Sequence, residues 1–238
     1  MIQTAPPQTA PKPPKPMDFT RQADLIRGAA LKKLGVTLIG SGAVGSFAAL
    51  VIGKMGLSAL TVFDEDGVAA HNLPNQFFPH QELGAFKVSA LARLLAAFSS
   101  CAVSERVEMY AAQPLTEVVI CAPDSMRVRR MVWEQFRAQD AARFLIEARM
   151  GAEIGRVYCI DKDAPDYAER AALYEAEALY SDDAVPPAPC TAQTIIYNVV
   201  ALAALMARAL KGRIMEDAPP FEQILNLARL SALSYMVR

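Results

Sequence analysis

Paired cysteine, histidine, net charge and long apolar runs are all scarce in this 238-residue chain, and each shortage excludes something. The four cysteines, Cys101, Cys121, Cys159 and Cys190, lie far apart and form no C-x-x-C pair. A sequence-local zinc knuckle is therefore excluded, and a reduced, cytoplasmic setting is expected. Lysine plus arginine (24) nearly cancel aspartate plus glutamate (25), leaving a formal charge of −1. Such a balance makes no electrostatic case for nucleic acid or a membrane surface as partner.

The most apolar stretch, IIYNVVALAALMARAL from Ile195 to Leu210, carries Asn198 and Arg208. It also falls short of the ~20 apolar residues of a membrane span. A helix apolar on most sides is expected to be buried or to sit at a subunit interface. The opening MIQTAPPQTAPKPPKP has no apolar core and no arginine, so it is not read as a signal or transit peptide. Its proline density predicts an extended, solvated tail over residues 1–20.

Hydrophobic residues make up 53% of the chain, enough to bury a real core in one globular domain over residues 21–238. From Val36 the pattern alternates strand and helix. VTLIG predicts a strand, AVGSFAALVIGKMG a helix closed near Gly56, and LSALTVFD a second strand ending at Asp64. A polar loop runs to about Leu83. GAFKVSALARLLAAF then places Val88, Leu91, Leu95 and Phe98 on one helical stripe.

SERVEMYAA and TEVVICA predict further strands, SMRVRRMVWEQF a helix, and RFLIEARMG with GRVYCID a strand pair. PDYAERAALYEAEALY is open between a helix and an excursion. A long helix is expected after VPPAPC, where prolines precede a helical start. The fold class expected is α/β, Rossmann-like: a mostly parallel sheet flanked by helices, with an antiparallel extension.

Gly40, Gly42 and Gly45 form G-x-G-x-x-G between a strand and a helix, where the motif belongs. Glycine permits the sharp turn and the close approach of backbone N–H groups to an anion, and the helix start favours negative charge. Asp64 ends the next strand, about where a carboxylate accepts ribose hydroxyls. This much fits NAD as well as ATP.

The following phrase is more specific. Asp64 and Asp66 in DEDGV, Asn72 and Gln76 in NLPNQ, and Lys87 in GAFK resemble, with GSGAVGS, the core of the ThiF/MoeB/HesA superfamily of ubiquitin-activating-enzyme-like adenylyltransferases. VVICAPDSMRVRR is similar to the family's strand that ends at an aspartate followed by an arginine, here Asp124 and Arg129. FTRQADLI is similar to its N-terminal arginine segment, and the long apolar helix to its closing helix. The resemblance covers Arg21 to Gly212, with Asp64 to Lys87 its specific part.

It implies a ThiF-like adenylation domain over residues 21–238. The implied activity uses ATP and Mg²⁺ to activate the C-terminal carboxylate of a small ubiquitin-like or sulfur-carrier protein, releasing pyrophosphate. By the same resemblance Asp64 holds the ribose, Lys87 meets the phosphates, and Asp124 binds Mg²⁺. Arg21 reaches the triphosphate from the partner subunit of a homodimer, while Asn72 and Gln76 position phosphate or loop.

Each residue also has a plainer reading. Lys87 lies in the first turn of an amphipathic helix and could be solvated. Asp124 could cap the helix behind it. Asp66 could only shape its turn, and Arg127 and Arg130 are expected at the surface. His71 and His80 flank the motif, but adenylation needs no histidine base because the attacking carboxylate is already ionised. Cys190, expected to begin the long helix, could form a thioester through a helix-lowered pKa. It could equally be a small packed residue, and the expectation here is the structural one.

The chain departs from the family at Asn75, which stands where the commonest motif has arginine. A phosphate contact is therefore lost or comes from elsewhere, Arg129 being one source. No paired C-x-x-C zinc motif is present in these residues, and at 238 residues a minimal adenylation core, without separate catalytic-cysteine or ubiquitin-fold domains, is expected. The alternatives are an NAD-dependent oxidoreductase, which leaves NLPNQ and Lys87 without a role, and a non-catalytic subunit of an activating heterodimer, which Asn75 favours.

Overall fold

A computed structural model of the chain describes residues 17–180 and 194–236. The run Val36–Ile39 is buried at every position and forms β1, as a strand covered on both faces must be. It pairs in parallel with β2 (Ala59–Phe63) on one side and with β4 (Val118–Cys121) on the other. β3 (Ala102–Arg106) joins β2 in parallel, and β5 (Phe144–Gly151) joins β4 in parallel.

From β5 onward the pairing reverses. β6 (Ile154–Asp161), β7 (Glu222–Asn226) and β8 (Ser231–Tyr235) add as antiparallel strands. The eight-stranded order is β3-β2-β1-β4-β5-β6-β7-β8. The mostly parallel α/β sheet with an antiparallel extension is thus as expected. β7 and β8 had no counterpart in the sequence reading.

Alternate strand residues feed two cores. Leu38, Ile120 and Ile146 pack with α2 (Ala43–Met55), α3 (Lys87–Phe98) and α6 (Ile196–Met215). Ile39, Val119 and Leu145 face the other way, onto Val132, Trp133 and Phe136 of α4 (Met126–Ala138). The short α1 (Gly28–Lys33) precedes β1, and α5 (Tyr167–Leu173) follows β6 and runs into a π-turn over Tyr174–Ala178. Gly56 closes α2 in the left-handed region at φ 110°, where glycine avoids the Cβ penalty.

α6 is buried along most of its length against α2 and the β5–β6 hairpin, so the apolar stretch is a core helix. Asn198 in its first turn is fully buried and donates to the carbonyls of Ala152 (3.2 Å) and Ile154 (3.4 Å), pinning that hairpin's turn. No described helix is long and apolar enough to cross a membrane.

Three local expectations are corrected. The third strand is Ala102–Arg106, so the chain leaves the sheet where SERVEMYAA was expected to continue. The apolar Tyr110 beyond it is buried edge-on against Phe63 at 5.4 Å, packing without pairing. Phe98 is 46% exposed and leaves the α3 stripe to stand beside Phe77. The long helix starts at Ile196, six positions after Cys190.

Candidate functional site

β1 lies between β2 and β4, so the connections diverge at its carboxyl end and leave a crevice there. A cleft of about 860 Å³ occupies this place. It is lined by Gly40, Gly42, Asp64, Asp66, Asn72, Gln76, Lys87, Asp124 and Arg129, so the structure brings those sequence-predicted residues together. Gly45 lies beneath them and Arg21 outside the cleft.

The glycines differ in what they do. Gly40 has φ 86°, and a Cβ there would lie 2.8 Å from the backbone of Ala122 and Pro123. A Cβ on Gly45 would sit 1.9 Å from the Gly40 carbonyl oxygen. Both are demanded by the chain's own packing. At Gly42 a Cβ would meet only the Gln76 side-chain nitrogen, at 3.7 Å. Its open side is the cleft, beside the N–H groups that begin α2.

Asp64 organises this loop. Its Oδ2 accepts from the Ser41 N–H (2.7 Å) and hydroxyl (3.0 Å), and its Oδ1 accepts from the Asp66 N–H (3.0 Å). A carboxylate offers about four acceptor positions, so capacity for a ribose hydroxyl remains. Lys87 is buried, which corrects the solvated alternative. Its Nζ stands 2.7 Å from Asp66 Oδ2 and 4.0 Å from Asp64 Oδ1. Asp66 itself is 62% exposed, so the pair opens on the cleft.

Asn72 is spent on the turn, accepting from the Ala69 N–H at 2.9 Å. Gln76 places its amide beside Gly42, and its buried Oε1 has no hydrogen-bond partner among the described residues. Asn75, at the family's arginine position, donates to the Thr194 carbonyl at 3.5 Å. Of the flanking histidines His71 lines the cleft and His80 does not.

Across the cleft, Ser125 caps α4 by accepting from the Val128 N–H, so the capping alternative for Asp124 is corrected. Asp124 is exposed at the cleft rim, and its carboxylate makes no hydrogen bond or ion pair among the described residues. Arg129 is buried: Nη1 donates to Glu147 (2.6 Å) and to the Ala148 carbonyl (2.9 Å), and Nη2 to the Pro123 carbonyl. It therefore ties the Asp124 loop to β5, and its guanidinium is occupied within the protein. Arg127 and Arg130 are exposed, as expected.

Glu147 and Arg149 were missed. They stand two apart on β5, on the same strand face, and Glu147 Oε1 accepts from both Arg129 and Arg149. Burial works against the Arg149 charge, but the Glu147 hydrogen bond and charge more than offset it and hold its pKa above the ordinary value. The available signal was a pair of opposite charges inside the otherwise apolar FLIEARMG.

Arg21, in a 3-10 turn over Thr20–Gln22, is exposed. Cys190 and residues 1–16 of the proline-rich tail lie outside the described residues. Among the other cysteines, burial pushes the Cys101 thiol up to about 11 and Cys159 to about 12, and raises Cys121 as well. These three are core residues without nucleophilic character.

A glycine turn at the switch point, an acidic residue just after β2 and a cleft over the strand ends define an α/β protein of the Rossmann type. The chain belongs to the ThiF family, whose family model matches residues 20–236. Among solved structures it is similar to PaaA, with 17% identity and a TM-score of 0.71 over 92% of this chain and 69% of that one. It is also similar to E. coli MccB with ATP (16% identity, TM-score 0.67) and to E. coli MccB with AMPCPP and MccA (16%, 0.65). Each of those two comparisons covers 88% of this chain and 65% of the MccB chain, so this chain spans about two thirds of MccB's length. No curated protein matches the chain.

Proposed function

We propose that this chain is an adenylyltransferase that activates the C-terminal carboxylate of a peptide or small carrier protein, a ubiquitin-like or sulfur-carrier protein being the finer reading. The observation that carries it is the joint placement of buried Lys87 and of Asp124, exposed and without a partner among the described residues, across one cleft from the Gly42 opening. The reaction joins a carboxylate oxygen to the α-phosphorus of ATP and breaks the bond from that phosphorus to the oxygen bridging to the β-phosphorus. Pyrophosphate leaves, and no proton need be removed.

The residues fit this demand. Lys87 offers a mobile cation to the phosphates once Asp66 releases it, while the α2 start and the open Gly42 favour an anion. Asp124 is a single exposed carboxylate of the kind Mg²⁺ takes alongside phosphates and waters. When bound, Mg²⁺ would supply charge neutralisation of the triphosphate. Asp64 would take the ribose, and Gln76, whose amide oxygen has no partner among the described residues, would position the loop or a ligand.

MccB, a structural neighbour, has been solved with ATP and, separately, with AMPCPP and MccA. That supports a nucleotide and a peptide or small protein as the two partners here. The further readings, a homodimer in which the partner's Arg21 completes the site and a structural role for Cys190, belong to the same proposal. An NAD-dependent reaction is disfavoured because it leaves Lys87 and Asp124 idle.

The test is ATP–pyrophosphate exchange with small carrier proteins and peptides that bear a free C-terminus. Label is expected to enter ATP only with a cognate acceptor, and to do so in Cys190→Ala as well. Exchange that ignores the acceptor would contradict the reading.

A further inference from the structure

Arg129, Glu147 and Arg149 form a buried cluster at the floor of the cleft, with one carboxylate between two guanidinium groups. One positive charge is in excess there. Arg129 is occupied by Glu147 and two carbonyls. Arg149 is not: Nε donates to Glu147 and Nη1 to the Ala178 carbonyl, but its buried Nη2 has no hydrogen-bond partner among the described residues. Its side chain is only 10% exposed and lines the cleft. Glu147 Oε2 is likewise buried without a hydrogen-bond partner among the described residues, so the one carboxylate between the two guanidiniums does not satisfy Nη2, and a further anionic oxygen relieves that donor.

Position says which anion. β4 ends at Cys121, whose partner on β5 is Glu147. Arg149 thus stands two residues beyond the last paired position, in the crevice on the β4–β5 side. The glycine loop, Asp64 and Lys87 lie on the β1–β2 side. A nucleotide held by the first group leaves the second side for the other substrate, whose reacting group is a carboxylate. The guanidinium is walled by Tyr158 at 5.1 Å, Tyr174 at 5.9 Å and Tyr180 at 5.3 Å from its central carbon. Such rings attract the cation and keep water away, so a charge pair formed there is strong. Tyr180, at 40% exposure, lines the cleft and is the part of this cage that can turn aside.

We propose that Arg149 receives the reacting carboxylate of the acceptor through Nη2 once Tyr180 swings outward. This rests on the adenylation reading for the identity of the carboxylate. Arg149 thereby holds an anion next to the phosphates without drawing on Lys87, in a cleft where Asn75 supplies no cation.

The experiment follows the side-chain Nε–H resonance of Arg149 by NMR in the full-length wild-type protein, assigned by its loss in Arg149→Lys. The probe is N-acetyl-glycylglycine, compared with its C-terminal amide and with inorganic pyrophosphate. A saturable shift is expected with the carboxylate and none with the amide. No shift with the carboxylate, or an equal shift with the amide, would overturn the proposal. A response to pyrophosphate in preference to the carboxylate would also overturn it, by assigning Arg149 to the leaving group. Mg-ATP protection of the wild type is measured in parallel. Its absence beside a carboxylate-specific shift would sink the adenylation reading alone, and its presence without that shift would sink this proposal alone.

Discussion

The two sides of the cleft are built differently. On the β1–β2 side, Lys87 is paired with an Asp66 that is 62% exposed, and Gly42 opens on free space. On the β4–β5 side, Arg129 and Arg149 share a Glu147 that is fully buried. Charges of the first side are held loosely and can be exchanged for a ligand. Those of the second are part of the core, and their removal leaves a buried ion without its partner. The lesson is that one cleft can have a side that serves binding at little cost to folding, and a side where the two are inseparable.

Glu147→Ala tests that contrast with the largest expected effect. Breaking a buried ion pair by removing one partner costs about 3–5 kcal/mol, and here two guanidiniums lose the same carboxylate. Urea denaturation should show a loss of that size, and a change below about 1 kcal/mol would erase the distinction between the sides. Lys87→Ala is the counterpart. Its exchange activity should fall roughly 10²–10³-fold, the usual consequence of removing one charge-stabilising group. Its stability should fall by less than that of Glu147→Ala, because its nearer partner Asp66 is already mostly in water and the buried Asp64 keeps its hydrogen bonds from Ser41 and the Asp66 N–H. A large loss of stability would show that Lys87 is a structural ion after all.

Within the glycine loop the same contrast recurs on a smaller scale. Gly45→Ala forces a Cβ against the Gly40 carbonyl, and overpacking of this kind costs about 1–3 kcal/mol. Gly42→Ala has room for its methyl and should fold normally, yet lose Mg-ATP affinity in a binding titration. Equal loss of stability in both would remove the reason for assigning Gly42 to the ligand. The smallest signal is expected from subunit mixing. An Arg21→Ala chain combined with a Lys87→Ala chain should recover part of the exchange activity through heterodimers with one intact site. No recovery after verified subunit exchange would place Arg21 outside the neighbour's site.

How far the sequence revealed this arrangement follows from the same difference. The β1–β2 side was legible because its parts are local: Gly40 to Gly45 form one turn, and Asp64 to Lys87 one continuous phrase. The β4–β5 side is assembled from α4 and β5 with aromatic walls from β6 and the turn after α5, so only Asp124 and Arg129 could be named from a motif. Arg129 then proved to be engaged with Glu147, a partner 18 residues away that spacing alone does not reveal.

Tyr110 misled for a related reason, since an apolar residue after a strand signals burial without saying whether its backbone pairs. β7 and β8 escaped notice because they are short, and β8 is exposed throughout, so no hydrophobic alternation marks it. Burial of Lys87 was equally hidden, since a lysine in the first turn of an amphipathic helix usually faces water.

The central claim is that the loosely held side of the cleft takes a metal-bound triphosphate, and thermal unfolding with Mg-ATP and with NAD tests it most directly. A ligand that binds only the folded state at a hundredfold excess over its dissociation constant adds about 2.7 kcal/mol of apparent stability. Mg-ATP should therefore raise the Tm of the wild-type protein and fail to do so in Gly42→Ala, while NAD should leave both unchanged. Stabilisation by NAD with no response to Mg-ATP would contradict the account.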